Sequence, residues 1–334
     1  MLQPMRARYA DMTLLLRVII IGAGLLAAGP AFAQGYPEQG IKIVVGFPPG
    51  VAPDVTARLL ADKFSEAWGK PVVVENVTGA GSNIATDRVA KAAPDGYTLL
   101  MGGNSALVIS PSLYDKLPYD PVRDFTPISQ AFIAANLLVV PPDVQAKTLT
   151  ELVALARAQP GKLTYGHAGV GTSQHLAAEL FKYMAHIDIQ PVAYRGTTAV
   201  LPDLLAGRVT MSFANILNAL PLSREGKLTA FAVTSRERSG AASDIPTMAE
   251  LGYPGFEAVP WFGLMAPAGT PQVVIDKVHR ETARTLSQPD ARRRLAELGV
   301  DLIGNTPAEF APVIKAEIPQ WAAVIKGAGI KAIE

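Results

Sequence analysis

A repeated order of elements limits the possible folds of this chain more than any other feature. A short apolar run, a loop rich in glycine and proline, and an amphipathic stretch follow one another from residue 41, and the same order restarts after Pro141-Pro142. This order is typical of α/β proteins, in which buried parallel strands alternate with the helices that cover them. Its restart in mid-chain predicts a second α/β domain.

The individual elements follow from apolar periodicity and from the glycines and prolines that interrupt it. The first round predicts strands at 41–47, 72–75 and 97–101, helices at 54–68 and 84–92, an irregular connection at 111–127 and an extended apolar segment at 128–140. The second round predicts helices at 148–158, 172–184 and 198–206 and strands at 163–165, 189–194, 209–213 and 228–233. Thr148 and Glu151 are expected to form a capping box.

The end of the chain predicts that it crosses between the two domains twice. After an extended apolar segment at 259–267, two amphipathic helices near 271–287 and 307–325 have few strands of their own to cover. We therefore expect them to pack back on the first domain. The predicted first domain comprises residues 34–137 and 262–334 and the second residues 138–261, with hinges near Leu138 and Trp261.

Residues 1–33 have the features of a secretory signal peptide. Arg6, Arg8 and Arg17 precede or interrupt an apolar run at 14–28, and the small-residue pattern Ala-Phe-Ala ends at Ala33. Cleavage after about Ala33 and export to the periplasm are expected. The apolar run is short for a bilayer span, so a retained anchor is the less favoured alternative. Translation can start at residue 1 or at residue 12.

Charge and composition exclude several classes of function. The 334 residues include 30 basic and 29 acidic side chains and no cysteine. Loss of residues 1–33 removes three basic and one acidic residue and leaves a formal charge of −1. This balance gives no footprint for nucleic acid, and the absence of cysteine excludes disulfides and thiolate metal sites. The run of arginines at 292–294 reads as the solvated face of a helix near Glu297.

Three loops at the ends of predicted strands are the candidate binding site. The first loop spans residues 47–54, the second 166–173 and the third 102–105, and the first two lead into a helix N-terminus, where unpaired N–H groups favour an anion. Ligands of open α/β sheets bind beyond the carboxyl ends of the strands, so such loops from two domains would face one cleft. An ordinary strand-to-helix turn is the alternative for each loop taken alone. Asp54 fits helix capping better than binding, because its carboxylate would compete with an anion.

Enzymatic alternatives find little support in the sequence. Thr172 stands where a phosphate-binding loop requires lysine. His175 and Glu179 are one helical turn apart, but no further pair of metal ligands follows at suitable spacing, and His175 is expected to face the helix surface or to cap the loop. Ser173 and His175 point to different faces of a helix. A periplasmic hydrolase remains a minor alternative, with His167 as its base. We predict no catalytic residue, metal or cofactor.

Eleven ordered sequence blocks after Tyr36 resemble a known family, the substrate-binding proteins of tripartite tricarboxylate transporters, also called the Bug family. The blocks are FPPGVAPD, VVVENVTGAGSN, APDGYTLLMG, LPYDP followed two residues later by DF, GKLTYG, GTSQHLAAELF, AYRG, LLAGRV, FAVTS, PTMAELGYPGFE and GLMAPAGTP. The resemblance implies an α/β periplasmic binding protein fold of type II, with two domains joined by two crossover segments that close on a ligand. It implies no enzymatic activity.

The resemblance also implies a ligand and partners. In the family, two loops enclose a carboxylate, often through waters, and they correspond here to 47–54 and 167–173. The implied partners are one large and one small integral membrane subunit, with the binding protein itself expected to be a monomer. A sensing role is the other one that the resemblance leaves open, so a ligand-sensing adaptor for a membrane signalling protein is the main alternative.

The predicted ligand-binding residues come from the three loops and from the far wall of the cleft. Backbone N–H groups of both domains are expected to bind the carboxylate together with the hydroxyl groups of Ser105, Thr172 and Ser173. The full set is Phe47, Pro49, Gly50, Val51, Asn104, Ser105, His167, Ala168, Gly169, Gly171, Thr172, Ser173, Tyr194, Asn215, Trp261 and Phe262.

Three departures from the family pattern bear on the ligand. Val51-Ala52-Pro53 replaces a Gly-Gly-Thr pattern, which removes an N–H donor and adds an apolar wall. His167-Ala168 replaces a serine-rich pair, and Ala214 stands where the family often has an aspartate that can pair with an ammonium group. We therefore predict a ligand without an amino group, such as an aromatic or hydrophobic carboxylate.

Overall fold

The apolar runs of the sequence assemble into two mixed β-sheets in a computed structural model that describes residues 35–194 and 197–330. Contacts within the chain group Gln39–Glu334 into one compact unit, and both sheets belong to it. The predicted signal peptide and its cleavage position lie outside the described residues.

The larger sheet contains the first strands and the last strands of the chain. Its order is β11-β4-β10-β3-β1-β2, where the strands are β1 (Ile41–Val45), β2 (Val72–Asn76), β3 (Thr98–Gly103), β4 (Phe125–Ile133), β10 (Trp261–Pro267) and β11 (Asp301–Leu302). β1 runs parallel to β2 and β3, whereas β10 is antiparallel to β3 and β4. The predicted parallel strands are therefore confirmed for β1–β3, and the strand that returns late in the chain runs against them.

The smaller sheet repeats this plan. Its order is β7-β6-β8-β5-β9, where the strands are β5 (Asn136–Val140), β6 (Thr164–His167), β7 (Gln190–Ala193), β8 (Met211–Asn215) and β9 (Thr229–Val233). β6 is parallel to β7 and β8, and β5 is antiparallel to β8 and β9. Each sheet thus has a parallel half whose strands end at a common edge, beside an antiparallel strand that begins at that edge.

Helices cover both sheets. They are α1 (Ala52–Trp68), α2 (Asn83–Ala90), α3 (Ser110–Leu113), α4 (Leu149–Ala158), α5 (Ser173–Ala185), α6 (Leu201–Leu205), α7 (Ile216–Arg224), α8 (Gln272–Ser287), α9 (Pro289–Ala296) and α10 (Pro307–Gly327). Short 3₁₀ segments occupy Ala80–Ser82, Thr197–Val200 and Gly240–Ala242, and Ser105–Ile109 forms a π-helical turn. Within the described ranges, no helix has the length and apolar character needed to cross a membrane.

Two segments connect the sheets side by side. The chain passes from β4 to β5 through Ala134 and Ala135, and the Ala134 N–H donates to the carbonyl of Pro260, just before β10, at 2.9 Å. Leu138, the predicted hinge position, lies inside β5 and pairs with Phe213 and Ala232. The two segments that connect the sheets therefore lie slightly before the predicted domain boundaries at 137/138 and 261/262.

The final helices pack largely as predicted. α8 contacts β4 and α1. α10 contacts β4, α3 and the π-helical turn at Ser105–Ile109. α10 also packs against α5 of the smaller sheet, which the sequence did not indicate. The arginines at 292–294 are exposed on α9, as predicted.

One predicted cap has a different partner. The Thr148 side chain accepts the Glu151 N–H, as a capping box requires, but the Glu151 carboxylate accepts from the Lys147 N–H instead of from Thr148. The complete capping box lies at the start of α10, between Thr306 and Glu309.

Candidate functional site

The first loop, residues 46–51, begins where β1 ends and leads into α1. Because β1 and β3 are parallel neighbours, Phe47 and Gly103 come to the same edge of the larger sheet. Val51 is the N-cap of α1 with extended backbone angles, and its side chain makes no capping hydrogen bond. The structure records no acceptor, among residues 35–194 and 197–330, for the N–H groups of Val51 and Ala52. These two donors are available to an anion at the helix N-terminus.

Asp54 anchors this loop from inside the first turn of α1. Its Oδ2 accepts the Gly50 N–H at 2.8 Å, its Oδ1 accepts from Asn76 Nδ2 at 2.8 Å, and Arg58 lies 3.0 Å from Oδ1. Asn76 Nδ2 also donates to the Phe47 carbonyl at 2.9 Å. Burial alone would raise the pKa of Asp54, but the Arg58 side chain and the two N–H donors lower it below its ordinary value. Asp54 was predicted to cap the helix; the N-cap is instead Val51, and Asp54 lies in the first turn and accepts the Gly50 N–H of the preceding loop.

An aromatic cluster forms the floor beside the first loop. The ring of Phe262 packs edge-on against Phe47 at 5.2 Å between centroids and stacks on Phe132 at 5.0 Å. A Cβ added at Gly103 would lie 2.8 Å from Phe262 Cε1, so glycine is needed here for the ring to approach the strand. The sheet edge therefore offers apolar rings beside the N–H donors of α1.

The third loop is shorter than predicted, because β3 continues to Gly103 and the π-helical turn starts at Ser105. Asn104 is buried, and its Nδ2 donates to the Val259 carbonyl at 3.0 Å, next to the crossing segment. Ser105 Oγ donates to the Gly81 carbonyl at 3.2 Å. Both predicted binding residues thus support neighbouring backbone in this structure.

The second loop, residues 168–172, follows β6 and leads into α5. Three of its N–H groups donate to side chains of β6 and α5: Ala168 to Gln174 Oε1 at 3.0 Å, Gly169 to His167 Nδ1 at 3.2 Å and Gly171 to His175 Nδ1 at 3.3 Å. Thr172 Oγ1 donates to the Gly169 carbonyl and accepts the His175 N–H. His175 therefore caps the loop, one of the two roles predicted for it.

One N–H group in this loop and one at the start of α5 favour a ligand role. In the part of the chain that the structure describes, neither the Val170 N–H nor the Ser173 N–H has a recorded acceptor. Val170 is 55% exposed at the loop tip, and Ser173 is the first residue of α5. As at α1, the unpaired donors lie at and before a helix N-terminus, which favours an anion.

Packing contacts link the second loop to the side of the larger sheet. Gly171 has a positive φ of 77°, and a Cβ there would lie 2.6 Å from Leu113 Cδ2 of α3. Leu113 closes the segment that starts at Ser105, and Ser105 bonds to Gly81. The Oγ of the next residue, Ser82, would lie 1.8 Å from a Cβ at Gly46, beside the first loop. Close packing therefore runs from the first loop to the second.

Three residues predicted for the far wall are engaged elsewhere. Trp261 lies on the opposite face of β10 from Phe262, and its indole N–H donates to both carboxylate oxygens of Glu317 at 2.9 Å. The Tyr194 hydroxyl donates to Asp203 Oδ2 at 2.8 Å, and burial with this bond raises the pKa of Tyr194 to about 12. Asn215 caps α7 by accepting the Leu217 N–H at 3.0 Å. Among the described residues, none of these three polar groups is hydrogen-bonded to the unpaired N–H groups of the two loops.

The remaining predicted residues lie within the two loops. Pro49, Gly50 and Val51 are exposed, and the Gly50 N–H donates to the Asp54 carboxylate. Ala168 and Gly169 are half-buried, and their N–H groups are taken by Gln174 and His167. The loops are therefore largely anchored by their own side chains.

Sequence reasoning missed three side chains that hold the site. Asn76, at the end of β2, fastens the first loop through Phe47 and Asp54. Gln174 takes the Ala168 N–H, and Asn136, buried at the start of β5, donates to Ser173 Oγ at 3.3 Å. The signal for Asn136 was available, since it is a lone amide in an otherwise apolar strand.

The side chains considered for catalysis or metal binding are engaged in other contacts. His167 Nδ1 is occupied by the Gly169 N–H, and burial lowers the pKa of His167. The Glu179 carboxylate, which was considered as a metal ligand beside His175, accepts from the Tyr165 hydroxyl at 2.5 Å and from Lys182 at 2.8 Å. Over the described ranges, no three histidine or carboxylate side chains are grouped as metal ligands.

Comparison with known proteins identifies the family. Residues 56–330 match the model of the tripartite tricarboxylate transporter family receptor, TctC. The chain is 38% identical to the protein BugT of Bordetella pertussis over 325 residues, which covers 96% of this chain and 99% of BugT. BugT is thus similar over its whole length.

Two solved structures are similar to this fold. The R. palustris protein Rpa4515, solved with adipate, has a TM-score of 0.73 and 35% identity, covering 89% of this chain and all of that one. MatC of Rhodopseudomonas palustris, solved with bound malate, has a TM-score of 0.69 and 34% identity, covering 87% of this chain and all of that one. The family and these structures are solute-binding proteins rather than enzymes. This chain belongs to the TctC, or Bug, family of solute-binding proteins.

Proposed function

We propose that this protein captures a small carboxylate in a cleft between its two sheets and delivers it, in the periplasm, to the membrane subunits of a tripartite tricarboxylate-type transporter. The observation that carries the proposal is the pair of anchored loops. In each loop the internal N–H groups bond to the protein's own side chains, and donors at the start of a helix are left for an anion.

The ligand class follows from the donors. Val51 and Ala52 at α1 and Val170 and Ser173 at α5 supply backbone N–H groups rather than fixed cationic side chains. Charge-assisted hydrogen bonds contribute about 1.5–3 kcal/mol each, so a few of them with a desolvated floor reach the roughly −8 kcal/mol of a micromolar complex. The adipate and malate bound by the two similar proteins support a carboxylate.

We also propose that the ligand lacks an amino group. A carboxylate that no other cation holds is the strongest partner for an ammonium group, and the acids recorded at the loops are already paired: Asp54 with Arg58, and Glu179 with Lys182. Ala214 carries no charge and is buried in the apolar cluster of the smaller sheet. The exposed Val51 and the rings of Phe47 and Phe262 favour an apolar body on the ligand.

The capture mechanism we propose is closure about the two crossing segments. The domain that carries β1–β4, β10 and β11 moves against the domain that carries β5–β9, with bending at Ala134–Ala135 and just before β10, slightly before the boundaries predicted at 137/138 and 261/262. Few loop positions need to change when two rigid sheets rotate about paired crossings, and ligand binding favours the closed state. The protein acts as an exported monomer whose signal peptide is removed after about Ala33.

Calorimetry on the protein purified from the periplasm tests this function. Malate with aspartate, and adipate with 2-aminoadipate, are matched pairs that differ in an amino group. We expect adipate or malate to bind with a micromolar dissociation constant and the amino partners to bind at least tenfold more weakly. Tighter binding of an amino partner would overturn the ligand class, and no binding by a range of carboxylates would overturn carboxylate capture.

A further inference from the structure

Two buried histidines lie beneath the second loop and accept its backbone N–H groups. His167 is 2% and His175 5% exposed, and their rings are 4.5 Å apart between centroids. His167 Nδ1 accepts from Gly169 at 3.2 Å and His175 Nδ1 from Gly171 at 3.3 Å. Both histidines therefore hold the backbone on either side of the free Val170 N–H.

These contacts require an uncharged imidazole. A neutral ring accepts a hydrogen bond at one nitrogen, whereas in the imidazolium ion both nitrogens carry protons and only donate. A proton on Nδ1 of His175 would face the Gly171 N–H, and the bond would be replaced by repulsion between two donors. Protonation of either ring thus removes one support of the loop.

We propose that His167 and His175 are positioning residues of the carboxylate site: as uncharged acceptors they fix the second loop in the shape that presents the Val170 and Ser173 N–H groups. The part that concerns the ligand rests on the proposed function, whereas the effect on the loop does not.

The surroundings keep both rings uncharged at neutral pH. Burial lowers the pKa of His167, and burial lowers the pKa of His175 to about 4, with His167 and Lys182 acting in the same direction. Glu179 is the acid facing the pair from α5, but it is bound by Tyr165 and Lys182. From α10, which also packs on α5, the acid Glu317 is held by Trp261 and Trp321. Leu113, which meets the loop from α3, is apolar.

The support that the two histidines give to the second loop therefore weakens in acid. Because the folded-state pKa of each histidine is depressed below 6.5, the support is complete above that pH and is lost as the pH falls through the folded pKa. For His175 the loss is centred near pH 4. The ligand is therefore released more readily under acidic conditions.

Amide NMR of the ligand-free protein tests the loop directly. We compare the wild type with His175→Asn, whose Oδ1 accepts at nearly the place of Nδ1 but does not titrate, and with His175→Leu, which cannot accept. Between pH 7.5 and 4 the Gly171 amide signal should titrate in the wild type and stay constant in His175→Asn. A wild-type signal that is constant, or a variant that titrates equally, would overturn the proposal. His167→Asn, observed at Gly169, repeats the test if the first variant fails to fold.

Adipate affinity supplies the second readout. At pH 7.5, His175→Asn should bind adipate as the wild type does, and His175→Leu at least tenfold more weakly. At pH 3.5 the wild type should lose about fourfold more affinity than His175→Asn, whose loss measures the protonation of adipate itself. Equal losses would overturn the proposal for the ligand. Titration of Gly171 as expected with no adipate binding at any pH would support the loop device and count against adipate as ligand.

Discussion

The two loops of the site have the same plan but opposite anchoring chemistry. The first loop is fixed by the carboxylate of Asp54, which takes the Gly50 N–H and is neutralised by Arg58. The second is fixed by uncharged acceptors, the imidazoles of His167 and His175 and the amide of Gln174. The comparison teaches that a loop can be anchored without adding net charge near an anion site, either by pairing the charge or by avoiding it. Only the second loop loses an acceptor near pH 4, where His175 gains a proton.

The largest effect we predict is for Asp54→Ala. It removes the acceptor of the Gly50 N–H, one of the two acceptors of Asn76 and the carboxylate partner of Arg58, so the free energy of unfolding should fall by about 2–3 kcal/mol. Denaturant unfolding measures this, and adipate affinity should fall with it.

Asp290→Ala is the control, because Asp290 is an exposed acid in the first turn of α9. It should cost less than about 1 kcal/mol. An equal loss in the two variants would mean that Asp54 acts as an ordinary helix-end charge rather than as the anchor of its loop.

Next in size is the packing of the second loop against α3. Gly171→Ala combines a left-handed backbone, which costs alanine about 1–2 kcal/mol, with a contact to Leu113. Gly50→Ala in the first loop has a similar φ of 87° and nothing within 4 Å of the added Cβ, so it carries the backbone cost alone. Thermal unfolding should place Gly171→Ala below Gly50→Ala. The reverse order would contradict the contact between the second loop and α3.

Glu317, which lies outside both loops, also titrates. Its contribution must be removed before the pH dependence of the two loops is compared. Burial raises the pKa of Glu317 to about 7, against the hydrogen bonds from Trp261 and Trp321. Since the folded-state pKa lies above 4.5, its stabilising contribution is present below pH 4.5 and is lost as the pH rises through 7. Glu317→Gln should therefore recover about 1–2 kcal/mol at pH 8 relative to pH 5.

Urea unfolding of the wild type and Glu317→Gln across this pH range measures that recovery. Identical pH profiles would mean that Glu317 does not titrate near pH 7. In the Glu317→Gln background, the loss of stability between pH 6.5 and about 5, above the range in which carboxyl groups of lowered pKa such as Asp54 titrate, should come from the histidines of the second loop.

The smallest predicted effect is an exchange of helix caps. α1 has Val51 at its N-cap with no side-chain bond, whereas α5 has Thr172, which accepts the His175 N–H. Val51→Thr should stabilise the protein by about 0.5–1 kcal/mol, and Thr172→Val should destabilise it by about 1 kcal/mol. Thermal unfolding measures both, and two changes of the same sign would contradict the difference between the loops.

The local features of both loops could be predicted from the sequence. Apolar strands before Phe47 and His167, glycines, and helical periodicity after Asp54 and Thr172 are all short-range signals. Helix α7 was missed because Pro221 lies inside it and reads as a break, and β11 was missed because two residues form a strand only by pairing with β4. Element type thus follows local pattern except where tertiary packing overrides it.

The anchors of the site could not be predicted, because they join residues that are distant in the sequence. Asn76 and Asp54 meet only because β2 pairs with β1, and Trp261 meets Glu317 only because α10 returns to the larger sheet. For Trp261 the sequence favoured the wall of the cleft, but strand alternation assigns Phe262 to that face. Knowing the strand register, rather than the residue types, would have separated the two.

A crystal structure of the protein with adipate tests the central claim most directly. The account predicts one carboxylate whose oxygens lie about 3 Å from backbone nitrogens of both loops, among them Val170 or Ser173 and Val51 or Ala52. Adipate held by a lysine or arginine side chain, with these N–H groups still facing solvent, would contradict it.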